Sequence, residues 1–160
     1  MKLTKADSNR TPAHIDRALT LEIVRVTEHG AIAAAYWRGK GDEKAADEAA
    51  VEAMTSELAK VQIKGRIVIG EGERDEVDNL YIGEEVGAGL GAEVDIAVDP
   101  LEGVTLCAKN QPDSICVLAL AERGGLLNVA RNVYMHKIAI GPGYPEGLVH
   151  IERSPTENVA

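Results

Sequence analysis

The stretch Val94-Asp95-Ile96-Ala97-Val98-Asp99-Pro100-Leu101-Glu102-Gly103 joins an apolar run to two carboxylates held around a proline turn. Strand alternation places Val94, Ile96 and Val98 on one face and Asp95, Ala97 and Asp99 on the other. Pro100 fixes φ and has no N–H, so the strand is expected to stop there with Asp99 at its end. Gly103 permits a tight turn or a close approach of backbone to ligand, and the three-residue step from Asp99 to Glu102 can fold both acids towards one point. Two anions that close call for a divalent cation. An Asp-Pro pair in isolation would read instead as a turn with a solvated acid.

Further acids strengthen the cation reading. Ile67-Val68-Ile69-Gly70-Glu71-Gly72-Glu73 repeats the arrangement: a β-branched run ends in an acid flanked by glycines, which makes Glu71 the second candidate ligand. The third is Asp47. Ala46, Ala50, Met54, Leu58 and Val61 recur at spacings of three and four, the pattern of an amphipathic helix between Asp42 and Val61. Asp47 borders that apolar stripe, whereas Glu48, Glu52 and Glu57 point to water. On spacing alone, Asp47 reads equally as a first-turn acid favoured by the helix dipole.

Five ordered motifs now bear on function. Gly39-Lys40-Gly41-Asp42 with Ala46-Asp47, Ile67 to Glu73, Leu80-Tyr81-Ile82-Gly83-Glu84, Val94 to Gly103, and Tyr134-Met135 together resemble the class II fructose-1,6-bisphosphatases in order and spacing. These belong to the metal-dependent, lithium-sensitive sugar and inositol phosphatases. The resemblance runs from about His14 to the C-terminus. It implies that residues 14–160 form the N-terminal lobe of that fold, without its C-terminal lobe, behind a flexible tail over 1–13. Asp47, Glu71, Asp99 and Glu102 become metal ligands for Mn2+ or Mg2+, with Asp99 and Glu102 at the catalytic centre. Glu102, Gly103 and Tyr134 become contacts to a phosphorylated sugar.

The implied reaction is hydrolysis of the C1 phosphate of fructose 1,6-bisphosphate, in gluconeogenesis or glycerol metabolism. Sedoheptulose 1,7-bisphosphate is accepted by some relatives. A cytoplasmic homo-oligomer is expected, with neither nucleic acid nor membrane as partner. Two departures from the pattern bear on rate. The family places a threonine after the turn glycine, and its hydroxyl helps position the attacking water; here that residue is Val104. Thr105 is one step along, on the opposite face if extended or rotated by about 100° if helical. The tyrosine segment, in the family Asn-Ala-Pro-Asp-x-Tyr-Met, reads Asn128-Val129-Ala130-Arg131-Asn132-Val133-Tyr134-Met135, one residue longer and without the proline and aspartate. Tyr134 read on its own is a half-buried strand tyrosine. Family members are about twice as long. Weak or absent turnover is therefore expected, and the alternative function is a truncated, non-catalytic metal-binding or interaction module.

The elements that must position these residues run from helical to extended. Leu19, Ile23, Val26, Ala33 and Trp37 share one face of a helix over 14–38, ended by Gly39 and Gly41. The Asp47 helix follows. Short strands are then expected at Ile67–Ile69, Leu80–Ile82, Val94–Val98, Ser114–Ala121, Leu126–Val129, Lys137–Ile140 and Leu148–Ile151. Helices grouped before strands indicate an α+β fold with a mainly antiparallel sheet. Gly87-Ala88-Gly89-Leu90-Gly91 precedes a strand rather than a helix, so it reads as a hairpin connection and not a phosphate loop.

Composition agrees with this picture. The 160 residues, 45% of them hydrophobic, can bury one core, and the net charge of −9 repels nucleic acid and anionic membrane over most of the surface while favouring cations. Met1 to Pro12 lacks a hydrophobic signal core. Cys107 and Cys116 lie among apolar residues with no zinc or redox spacing and read as small core groups. His14, His29, His136 and His150 form no cluster in sequence, which leaves them surface or helix-facing roles.

Overall fold

The computed structural model describes residues 17–127 and 136–159. The chain divides into two compact units, Met1–Asn128 and Val129–Ala160. In the first, helices α1 (Arg17–Ala35) and α2 (Glu43–Leu58) precede strands β1 (Ile63–Ile69), β2 (Glu85–Val86) and β3 (Ala92–Glu102), the short helix α3 (Val104–Ala108) and strand β4 (Ile115–Glu122). The sheet order is β2-β1-β3-β4. β1 pairs antiparallel with β2 and parallel with β3, and β3 pairs antiparallel with β4, so the α+β, mainly antiparallel architecture is as expected.

The apolar stripes explain why the helices form and where they pack. Asp42 caps α2: its backbone is extended and its carboxylate accepts the Ala45 N–H at 3.0 Å. Ala46, Ala50, Met54 and Leu58, one residue per turn, are all buried. Val26 of α1, Met54 and Leu58 of α2, and Ile63, Ile67, Val94, Ile96 and Val98 of the sheet make one core. α1 and α2 thus cover a single face of the sheet. A second, smaller core joins Ala34, Ala46, Ala50, Leu101 and Cys107, with Trp37 and Val104 packed against it.

Several expected strands take other forms. β3 does not stop at Pro100 but continues to Glu102, with its register to β4 shifting between Asp99 and Glu102. The missing proline N–H costs no ladder bond because pairing with β1 has already ended at Ala97, and the irregularity towards β4 absorbs the rest. Asp99 therefore sits inside the strand, three residues before its end. Leu80–Ile82 is a turn, since Leu80 is buried with φ of +56°, which breaks an extended run. Gly87–Gly91 is not a hairpin: it links β2 to β3, which flank β1 on opposite sides. The connection crosses the start of β1, where Ala88 and Gly89 donate to Val61 and Ile63 carbonyls at 2.8 and 3.0 Å.

Leu126 and Leu127 are irregular, and the rest of that expected strand lies outside the described residues. In the second unit, Lys137–Ile140 has no strand partner among the described residues and Leu148–Ile151 forms turns. This unit contains helix α4 (Pro155–Val159). Ser154 and Glu157 make a reciprocal capping box there, the Ser154 N–H donating to Glu157 Oε2 at 2.8 Å and the Glu157 N–H to Ser154 Oγ at 3.3 Å. Asn158 ties it to the preceding turn, its amide donating to the His150 and Arg153 carbonyls at 3.0 and 3.1 Å.

Candidate metal centre

Each candidate acid occupies a position set by local backbone chemistry. Asp47 lies in the second turn of α2 between buried Ala46 and Ala50 and is itself half-buried, at the border of the apolar stripe. Glu71 heads the turn after β1. Its N–H donates to the Leu80 carbonyl at 3.0 Å, and the Ile82 N–H donates to the Gly72 carbonyl at 2.8 Å, which binds the turn to the 80–82 segment. Residue 70 must be glycine for this approach, because a Cβ there would run into the Leu80 carbonyl oxygen.

Asp99 pairs across the sheet with Val117, and Glu102 with Ile115. Gly103 then turns β3 into α3 from the left-handed region, at φ +81°, ψ +44°, and its carbonyl accepts the Cys107 N–H at 3.1 Å. Only a residue without a side-chain penalty in that region lets the helix start directly behind Glu102. Val104 and Thr105 are helical, and Val104 packs against the second core. Its valine is thus accounted for by packing, while Thr105 is rotated away from the position a threonine at 104 would take.

Electrostatics link the four acids. Burial first, then the charges of Asp47 and Asp99, push the Glu71 carboxyl up to about 7. Asp47 is raised by burial and next by Glu48. Asp99 is raised chiefly by burial, then by the nearby Glu102 carboxylate and by Asp47, with the Leu101 backbone opposing. A cleft of about 450 Å³ holds Asp47 and Glu71 on its wall, beside Lys44, Glu48, Glu52 and Asp78. Lys44 is engaged with Glu48 at 3.3 Å. Among the described residues, none of the four candidate acids forms an ion pair.

The structure thus brings Asp47, Glu71, Asp99 and Glu102 into one field. It does not close them into a cage: among the described residues, no three His, Cys, Asp or Glu side chains are grouped to hold one ion. Like charges sharing a partly dry site oppose closer approach. The donor set is nonetheless all carboxylate oxygen, the chemistry that suits Mg2+ or Mn2+. Tyr134 lies outside the described residues, as does His14. His29 is exposed on α1, its Nδ1 2.8 Å from the Arg25 carbonyl.

Sequence reasoning missed a second buried acid arrangement. Asp95, on β3, is only 4% exposed; it accepts the Gly124 N–H at 2.6 Å and faces Arg123 Nε at 3.7 Å. An aspartate inside an apolar strand was the available signal, with its partners hidden 28 and 29 residues on. The two thiols are free, and Cys107 is buried, donating to the Ala34 carbonyl at 3.5 Å. Burial pushes the half-buried Cys116 thiol up to about 11, with Asp99 and Cys107 contributing. Both behave as small apolar groups.

Fold and site define an α+β unit whose helix, turn and strand each carry one or two of the candidate acids. Residues 17–160 match the family described as bacterial fructose-1,6-bisphosphatase, glpX-encoded. Similar curated proteins include those of Prochlorococcus marinus (strain MIT 9303) and Synechococcus sp. (strain JA-2-3B'a(2-13)), each named D-fructose 1,6-bisphosphatase class 2/sedoheptulose 1,7-bisphosphatase. The first is 54% identical over 145 residues, covering 91% of this chain and 43% of the relative; the second is 50% identical over 157 residues, covering 91% and 45%. This chain belongs to the bacterial glpX-type fructose-1,6-bisphosphatase family. It spans less than half the length of the curated relatives it matches.

Among the described residues, no helix is long and apolar enough to cross a membrane.

Proposed function

We propose that this chain supplies the metal-binding lobe for hydrolysis of the C1 phosphate of fructose 1,6-bisphosphate, giving fructose 6-phosphate and phosphate. The observation that supports this reading is that Asp47, Glu71, Asp99 and Glu102, separate in sequence and matching the family's motifs, come near enough for Asp47 and Asp99 to act on Glu71 and for Glu102 and Asp47 to act on Asp99. Carboxylates such as Glu71 and Asp99, whose ionisation is opposed by neighbouring negative charge, gain most from a divalent cation.

Asp47, Glu71, Asp99 and Glu102 would hold Mn2+ or Mg2+. Such an ion, when bound, lowers the pKa of a water and offsets charge on phosphoryl oxygens. Asp99 and Glu102, both on the last part of β3, stand close enough for the Glu102 carboxylate to raise the Asp99 carboxyl. Glu102 and Gly103 would frame the reacting phosphate, and Tyr134 would contact the sugar phosphate. Phosphorylated sugars of the fructose or sedoheptulose bisphosphate type as substrates fit the names of the relatives, and a cytoplasmic homo-oligomer is part of the same proposal.

A second reading, a non-catalytic metal-binding or interaction module, is favoured by Val104, which serves packing where the family has a water-positioning hydroxyl. Phosphate release from fructose 1,6-bisphosphate, measured with and without Mn2+, separates the two. Metal-dependent release abolished by Asp99→Ala supports the enzyme. No release from the parent chain, together with a rise in melting temperature on adding Mn2+, supports the module.

A further inference from the structure

Helix α1 buries one face in the fold and leaves a second line of residues uncovered. Ile23, Val26 and Ala34 turn towards the two cores, and His29 Nε2 stands 3.9 Å from Glu57 Oε2, which fixes the side that faces α2. Away from the cores, Ala18, Leu21, Arg25, Glu28, Ile32 and Ala35 are all exposed, Leu21 at 62% and Ile32 at 58%. Their spacing alternates between three and four, so they form one line along the helix, like the a and d positions of a heptad. Val24 and Ala31, also exposed, flank it on one side. A helix that is apolar on both of its faces is built to be covered on both.

The line is also its own reverse. About a centre between Val26 and Thr27, Ala18 answers Ala35, Leu21 answers Ile32, and Arg25 answers Glu28. A two-fold axis through that point lays α1 antiparallel on the α1 of a second copy. Each apolar residue then meets an apolar one, and each Arg25 meets the Glu28 of the other copy. This is the reciprocity that an isologous contact requires. Among the described residues, neither Arg25 nor Glu28 is in an ion pair within its own chain.

We infer that α1 pairs with the α1 of a second copy of this chain, antiparallel about a two-fold axis near Val26 and Thr27. The net charge of −9 repels two copies at a distance, but the line itself carries one cation and one anion, and ~0.15 M salt screens charges beyond about 8 Å. From Ala18 to Ala35 the line is roughly 26 Å long. That makes a small interface, for which a dissociation constant of about 10–100 µM is expected. The inference gives the proposed homo-oligomer its contact and rests on that part of the proposed function alone, not on phosphate hydrolysis.

Sedimentation of the full chain in ~0.15 M salt tests it. The parent should dimerise, and Arg25→Glu alone, Glu28→Arg alone and Ile32→Glu should each weaken association about tenfold or more. An equimolar mixture of the Arg25→Glu and Glu28→Arg chains should recover the parent's affinity as a heterodimer, because the two acids of one chain then face the two arginines of the other. A pair formed within one helix cannot give that rescue between chains. Leu90→Glu, at a leucine equally exposed outside the line, should leave association unchanged. Circular dichroism of each variant verifies that it remains folded. A dimer indifferent to all the α1 variants, or a mixture without rescue, overturns this contact while leaving a homo-oligomer in place. A parent still monomeric at ~1 mM overturns both.

Discussion

The carboxylates of Glu71 and Asp99, one on the turn after β1 and the other within β3, lie in each other's electrostatic field. With burial and Asp47, that field raises Glu71 from its ordinary 4.5 to about 7. The folded chain therefore holds this proton more tightly than the unfolded chain. Between those two values it binds more protons than the unfolded state, so stability falls as pH rises. In chelator, the melting temperature should be higher near pH ~5 than near pH ~7.5, the Glu71 share being about 1 kcal/mol after solvent screening of a half-exposed group. Scanning calorimetry of Glu71→Gln should show a flatter profile; an unchanged slope would place the titration elsewhere.

The same acids predict how the protein answers a divalent ion. Mn2+ or Mg2+ at ~100 times its dissociation constant should stabilise the folded chain by about 2.7 kcal/mol, a rise of roughly 5–10 °C for a chain of this size. Asp99→Asn removes a donor without adding bulk and should abolish most of that rise. Fluorimetric melts over a metal titration check both, and equal shifts in parent and variant would remove Asp99 from the ligand set.

How much of this was legible in sequence divides along physical lines. The α2 stripe was fully readable because Ala46, Ala50, Met54 and Leu58 encode their burial in a local period. The glycine turn behind Glu102 was readable for the same reason: the requirement is met within a few residues. Pro100 misled because a proline ends a strand only where a partner needs its N–H, and that partner is set by β1, which lies some thirty residues earlier in the chain. Leu80 misled because its left-handed backbone follows from the Glu71 turn, a tertiary demand. Convergence of Asp47 with Glu71 was legible only through ordered motifs, since spacing left Asp47 equally a dipole-compensating acid.

Val104→Thr tests whether the missing hydroxyl limits turnover. Restoring it should raise metal-dependent phosphate release by about a hundredfold, equivalent to ~3 kcal/mol in the barrier. The same change puts a hydroxyl against the Ala34, Ala46 and Leu101 cluster, so a stability loss of ~1 kcal/mol should accompany it. Initial rates and urea melts on one preparation separate the effects, and a fall in stability without any gain in rate would leave position 104 a packing site alone.

Gly70→Ala probes the turn that presents Glu71. The added methyl would meet the Leu80 carbonyl oxygen and the Ile67 side chain, and backbone has little room to yield. A loss of ~2–4 kcal/mol is expected, from strain and from the broken Glu71 N–H to Leu80 bond. The Mn2+-induced rise in melting temperature should shrink with it, because Glu71 loses its bearing. Chemical denaturation gives the first number and the metal titration the second; a variant as stable as the parent would show that the 80–82 segment moves aside freely.

Asp95 allows charge and hydrogen bonding to be weighed separately. It is nearly sealed, accepts the Gly124 N–H at 2.6 Å and stands 3.7 Å from Arg123 Nε. Arg123 has other partners: its Nη2 donates to the Lys64 carbonyl at 2.9 Å and lies 3.9 Å from Glu85, and a third of its side chain is exposed. Removing the Asp95 charge therefore leaves the guanidinium solvated, whereas removing the acceptor strands a main-chain donor in a turn. Asp95→Ala should cost ~1–3 kcal/mol, and Asp95→Asn, which keeps an oxygen for the Gly124 N–H, less than half as much. Urea denaturation of the pair decides it: equal losses in both variants would mean that the Arg123 charge, and not the N–H, is what Asp95 serves.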